Sequence, residues 1–129
     1  MAKIITHCED CLRILGNEYK DIHEWLDEYS KKWNPFVYLE KHRQYRHHAE
    51  GVKEVRRKWG HYAEKAAKIH IIRDEAMYVY CNMETLREDE IEPYYQKVLK
   101  YCHPVPLNDR WKKDVLTAYE NPTKPKEIG

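Results

Sequence analysis

At 129 residues, with 23 basic and 22 acidic side chains, the chain has room for one domain, and a net charge of +1 excludes wholesale electrostatic binding to nucleic acid. Leu, Ile, Val and Phe supply only 25 residues, yet near-neutral charge and eleven Tyr, four Trp and one Phe argue for a core wet at its edges, not for disorder. No apolar run approaches the roughly 20 residues of a membrane span. The first ten residues have a single Lys and a three-residue apolar run, so no secretory leader is expected, and four cysteines fit a reduced, cytoplasmic chain.

Four Gly and six Pro among long apolar-periodic runs predict an all-α fold. The expectation is a single compact bundle of five to six helices over residues 1–120, with a mobile tail at 121–129. Helix one covers 6–15 and stops at Gly16-Asn17. Helix two carries Ile22, Trp25, Leu26, Tyr29 and Trp33 on one stripe and ends at Asn34-Pro35. Helix three runs over 35–59 with Tyr45, His48, Val52, Val55 and Trp59 inward. Gly51 inside it costs about 1 kcal/mol against Ala, a sign of close approach by a ligand or neighbouring helix. Helix four covers 61–81, burying Ala66, Ile69, Ile72, Arg73, Ala76 and Tyr80. Thr85-Leu86-Arg87-Glu88 has capping-box form and Glu92-Pro93 is a competing start, with helix five between these and Tyr101. His103-Pro104-Val105-Pro106 breaks the chain, and Asn108 caps a short last helix through Trp111, Val115, Leu116 and Tyr119.

Eight His in so short a chain are the second anomaly. Residues four apart share a helix face, so His23 with Asp27 and His70 with Asp74 form two pairs that suit joint metal ligation or a fixed imidazole tautomer. The plain alternative is a surface pair worth a few tenths of a kcal/mol. Helix three adds His42, His47 and His48; His48 lies in the apolar stripe, where a satisfied core histidine is the plain reading. His7, one helix earlier, faces the same cleft. Convergent His and Asp are what Zn²⁺, Mn²⁺ or Fe²⁺ require, so a divalent transition metal is the expected cofactor.

His23-Glu24-x-x-Asp27 departs from the HExxH zinc helix at its second His, and no His-Asp dipeptide of the HD phosphohydrolase kind is present. Cys8-x-x-Cys11 lacks a second CxxC, so packing competes with zinc there. Arg43 and Arg46, with His47, form the best anion grip, because guanidinium groups bind phosphate or carboxylate bidentately. The alternative is a solvated basic face, residues 41–58, pairing with the acidic stretch 84–92.

Ile22-His23-Glu24-Trp25-Leu26-Asp27-Glu28, then His42-Arg43-x-x-Arg46-His47-His48-Ala49-Glu50-Gly51, then His70-x-x-x-Asp74, resemble a small uncharacterised bacterial and phage family, a domain of unknown function with IHxWxDE, HRxxRHHAEG and HxxxD blocks. The resemblance implies no activity. It marks His7, His23, Asp27, His42, Arg43, Arg46, His47, His48, His70 and Asp74.

The expected function is metal-dependent hydrolysis of a small phosphorylated or nucleotide-like compound. His7, His23, Asp27 and His70 are the metal candidates, His42, His48 and Asp74 the catalytic ones, and Arg43, Arg46 and His47 the substrate-binding ones. The rival is a non-catalytic, phage-type protein that sequesters an anionic ligand or a host protein. The third reading is a helical dimer, a homo-oligomer with buried His–Asp hydrogen bonds and no ligand. Neither a membrane nor nucleic acid is an expected partner.

Overall fold

A computed structural model describes residues 3–28 and 46–102, and among them the fold is all α-helical. Helix α1, Ile4–Leu15, ends at Gly16, whose positive φ of 82° lets its N–H reach back to the Leu12 carbonyl. A short turn follows, in which the Asn17 side chain accepts from the Tyr19 N–H at 3.1 Å. Tyr19, itself left-handed, then opens α2, Lys20–Leu26.

Helix α2 is shorter than its apolar stripe predicts. It closes at Asp27, whose N–H bonds to the His23 carbonyl and whose side chain turns inward to two imidazoles. The rest of the predicted stripe, Tyr29 and Trp33, lies outside the described residues, as do the predicted start of helix three at Pro35, the helix at 108–119 and the tail at 121–129.

Helix three is also not continuous. His47 and His48 are not helical, so the predicted helix is interrupted there, and α3 covers Ala49–Trp59. His48 is extended, and its Nδ1 accepts from the Gly51 N–H at 3.1 Å, so it is an N-cap and not a member of the apolar stripe. Gly51 explains the fold-back: a Cβ there would run into the backbone carbonyl of Arg46. The close approach that Gly51 signalled is that of the preceding chain.

Gly60 ends α3 and begins the next helix. With φ 98° and ψ −175°, its N–H bonds to Arg56 while its carbonyl accepts from Glu64. Helix α4, His61–Val79, is the centre of the fold, and α1, α2, α3 and the last described helix all pack on it. Its buried positions, Ala63, Ala66, Ala67, Ile69, His70, Ile71, Ile72 and Val79, therefore run round the helix and not along one stripe. Ile69, Ile71 and Ile72, fully buried, each contribute about 1.5–3 kcal/mol through apolar burial. Two predicted core residues fall outside it. Tyr80 is 92 % exposed because it is the left-handed C-cap of α4, and Trp59 is 42 % exposed, edge-on to Trp25.

A single 3₁₀ turn, Glu88–Glu90, leads into α5, Ile91–Tyr101. The cap sits later than predicted: the Arg87 N–H donates to Glu90 Oε1 at 3.0 Å, whereas the Thr85 hydroxyl goes to the Asn82 carbonyl. Pro93 falls in the first turn, where a missing N–H costs nothing. Arg13 of α1 clamps this connection through the carbonyls of Leu86, at 2.9 Å, and Met83. Among the described residues no helix is long and apolar enough to cross a membrane.

Candidate metal centre

Where α1, α2 and the start of α3 meet α4, the apolar core gives way to a block of imidazoles and carboxylates. His7 comes from α1, His23 from α2, Asp27 from its C-cap, His47 from the break before α3, and His70 with Asp74 from consecutive turns of α4. His7, His23 and His70 are completely buried, and Asp27 and His47 are nearly so. This block brings together six of the ten residues singled out in the sequence. His42 and Arg43 lie outside the described residues.

The polar contacts radiate from His70. Its Nε2 lies 3.2 Å from Asp27 Oδ1 and 3.5 Å from Asp74 Oδ2. On the other edge, its Nδ1 lies 3.0 Å from Nδ1 of His23, whose Nε2 is 2.9 Å from the Glu18 carbonyl. His47 spans the two carboxylates, Nε2 at 3.2 Å from Asp27 Oδ1 and Nδ1 at 3.4 Å from Asp74 Oδ2. His7 Nε2 approaches Asp74 Oδ1 at 3.3 Å.

Two sets of side chains come close enough to share an ion: His7 with His23 and His70, and Asp27 with His47, His70 and Asp74. Ring orientation separates them. The three rings of the first set lie within 15–22° of parallel, and His7 stacks face-on over His70 at 3.5 Å. Imidazole lone pairs lie in the ring plane, so His7 and His70, stacked face-on, cannot both aim at one point. His47, by contrast, stands at 78° to His70, an orientation from which two lone pairs can converge. With one donor atom per residue, His70 Nε2 to Asp27 and Asp74 at 3.2 and 3.5 Å and His47 Nε2 to Asp27 at 3.2 Å match edges of a tetrahedron with bonds of about 2.0–2.2 Å.

The hydrogen-bond partners also fix which nitrogens carry protons. A carbonyl accepts only, so His23 holds its proton on Nε2 and presents a bare Nδ1 to His70. A proton on His70 Nδ1 completes that contact and leaves the Nε2 lone pair facing Asp27 and Asp74, whereas a proton on Nε2 would go to Asp27 instead. Burial, together with neighbouring His7, lowers the His23 pKa to about 4. Burial, only partly offset by the hydrogen bond that a protonated Nε2 would give Asp27, lowers that of His70 to about 3, so both are neutral at pH 7. Burial pushes the Asp74 carboxyl up, but His7, His70 and His47 outweigh it and hold the group below the usual carboxylate range. With His70 protonated on Nδ1, its bare Nε2 faces carboxylate oxygens, an arrangement compatible with a cation between them.

The remaining described sequence candidates sit beside the cluster. His48 caps α3. Arg46 lays its guanidinium over the Trp25 ring at 3.9 Å, donates to the Trp25 carbonyl and pairs with Glu28 at 3.1 Å. Cys8 and Cys11 are buried free thiols on α1, and the Cys11 thiol points to the Ala66 carbonyl. Sequence reasoning overlooked Asp10. It takes a two-pronged hydrogen bond from Arg73, at 2.6 and 2.5 Å, and so joins α1 to α4 just beside the cluster. Its spacing of three from His7 was the one available hint.

A family model described as a domain of unknown function (DUF6915) matches residues 2–84, more than half of the chain and the whole of the cluster, and the chain belongs to that family. This agrees with the resemblance to an uncharacterised family. No curated protein and no solved structure matches the chain.

Proposed function

We propose that this protein is a divalent-metal-dependent hydrolase acting on a small phosphorylated or nucleotide-like compound. The reading rests on one observation, His70 Nε2 lying 3.2 Å from Asp27 Oδ1 and 3.5 Å from Asp74 Oδ2 in a buried site. Two carboxylates neutralise a divalent charge, and His47 and His70 add the nitrogen donors that Zn²⁺, Mn²⁺ and Fe²⁺ accept. When bound, such an ion lowers the pKa of a coordinated water and polarises a phosphoryl oxygen. Arg46 is adjacent to His47 and anchored to the carbonyl of Trp25, two residues before Asp27. Its partner Glu28 has a side chain 41 % exposed, so a substrate phosphate can take that carboxylate's place on the guanidinium.

A second reading draws on the burial of the cluster, where His7, His23, Asp27, His47 and His70 are at most 4 % exposed. Closed sites of this kind suit a protein that holds its metal or a small anion without turnover. Metal analysis of protein purified without a histidine tag, followed by a screen of phosphatase, phosphodiesterase and nucleotidase substrates, separates the two. One equivalent of transition metal, lost in His70→Ala and Asp74→Asn, with metal-dependent turnover, supports the hydrolase. Bound metal without turnover supports the closed binder. A wild-type chain that takes up no Zn²⁺, Mn²⁺ or Fe²⁺ defeats both metal readings.

A further inference from the structure

The sequence places His23 among the metal ligands, but the site offers it a different task. Both of its nitrogens are engaged, Nε2 on the Glu18 carbonyl and Nδ1 on His70, so no lone pair remains for an ion. The Glu18 carbonyl is itself held in place. It belongs to the turn between α1 and α2, pinned on one side by Gly16 closing α1 and on the other by the Asn17 side chain on the Tyr19 N–H. Tyr19 then takes the left-handed conformation, and its carbonyl accepts from the His23 N–H at 3.3 Å, which ties the imidazole's own backbone to the same turn. His7, stacked at 3.5 Å over His70, opposes rotation of that ring out of its plane.

We infer that His23 is a positioning residue: oriented by the Glu18 carbonyl, it accepts the His70 Nδ1–H and thereby makes Nε2 the metal-binding atom of His70. The inference rests on the metal reading for its purpose but not for its geometry. A metal-bound imidazole ordinarily donates its second N–H to a carbonyl, carboxylate or water, which fixes its tautomer and raises its basicity. Here a second imidazole fills that place, and its acceptor character is imposed by a backbone carbonyl one turn of chain earlier.

The test begins with the metal-free wild type and histidine ¹⁵N chemical shifts. His23 is expected as the Nε2–H form and His70 as the Nδ1–H form. A His70 protonated on Nε2 overturns the inference whether or not the protein binds metal. His23→Gln retains an acceptor for His70 and a donor for Glu18, and should keep Zn²⁺ affinity within about threefold of wild type. His23→Leu should lose both and bind Zn²⁺ about 10–100-fold more weakly. X-ray absorption of the zinc-loaded His23→Gln protein should still count two imidazoles, as in the wild type. Loss of one would make His23 a ligand and refute the positioning role. Should the wild type bind no metal, the proposed function falls. The inference then stands or falls on the His70 tautomer, which must redistribute in His23→Leu, or in His23→Ala if the leucine variant does not fold.

Discussion

Replacing Gly51 with Ala sets two effects of opposite sign against each other. An interior helical Gly is worse than Ala by about 1 kcal/mol, so propensity alone predicts stabilisation. The added methyl, however, would occupy the space of the Arg46 carbonyl, and a backbone group cannot swing away as the end of a flexible side chain does. Forcing a methyl into filled space costs about 1–3 kcal/mol, and here, where relief requires moving the backbone of the segment that carries His47, the upper part of that range, about 2–3 kcal/mol, applies. The expected net loss is about 1–2 kcal/mol, a fall of roughly 5–10 °C in melting temperature for a domain of this size. His47 lies one residue beyond Arg46, so its 3.2 Å approach to Asp27 should loosen as well. Calorimetry with and without added Zn²⁺ reads both: a lower midpoint for the metal-free protein and a smaller zinc-induced rise. Lys53→Ala, on the exposed face of the same helix, serves as the near-neutral comparison. A Gly51→Ala protein as stable as the wild type, or more so, would mean the chain runs helically through His47 and His48, and the break described above would be wrong.

Three further outcomes follow from the buried charges and thiols. Because the folded pKa values of His23 and His70 lie below the ordinary value of 6.5, the metal-free protein should lose stability as pH falls from about 6.5 towards 4 and 3, by about 1.4 kcal/mol per pH unit for each group. A urea midpoint unchanged between pH 7 and pH 5 would contradict this. Arg73→Met, which strands the buried Asp10 carboxylate, should cost about 2–4 kcal/mol in denaturant unfolding, and the double variant with Asp10→Leu should recover part of that loss. Equal destabilisation by the single and double variants would show that the pair is not coupled. Cys8 and Cys11, buried and with burial pushing both thiols up, should resist a thiol reagent such as DTNB until the chain unfolds. Rapid labelling of either in the native protein would refute their placement.

Local signals carried the parts of this fold that local chemistry controls. Gly16 ends α1 because a residue there must adopt positive φ, and the His70–Asp74 spacing puts both side chains on one face of α4 whatever packs against it. Periodicity failed where tertiary contacts override it. His48 fits the apolar stripe only if the helix is continuous, and the carbonyl of Arg46 meeting Gly51 breaks that register. Asp27 likewise reads as one more helical residue, whereas its burial against His47 and His70 coincides with the end of α2. Asp10 and Arg73 are 63 residues apart, and no sequence pattern announces such a pair. That the histidines converge was legible from their number and their spacing to Asp. Which of them hold protons, and on which nitrogen, depends on the Glu18 carbonyl, a backbone atom that residue types do not reveal.

The single-residue corner at Gly60 makes chain length itself a dimension of the site. Measured from that corner, His47 lies thirteen residues back, while His70 and Asp74 lie ten and fourteen residues forward. At 1.5 Å per residue α4 reaches roughly 15–21 Å from the corner to His70 and Asp74 and α3 roughly 16 Å to Ala49, so folding them together brings His47, in the break just beyond α3, level with the His70–Asp74 turn. Like the legs of a pair of dividers, they meet at their tips only while both keep their length. One residue inserted into α4 ahead of His70 would slide its two ligand candidates by about 1.5 Å and turn them by about 100°, away from every partner at once. The same insertion after Asp74 would leave them in place.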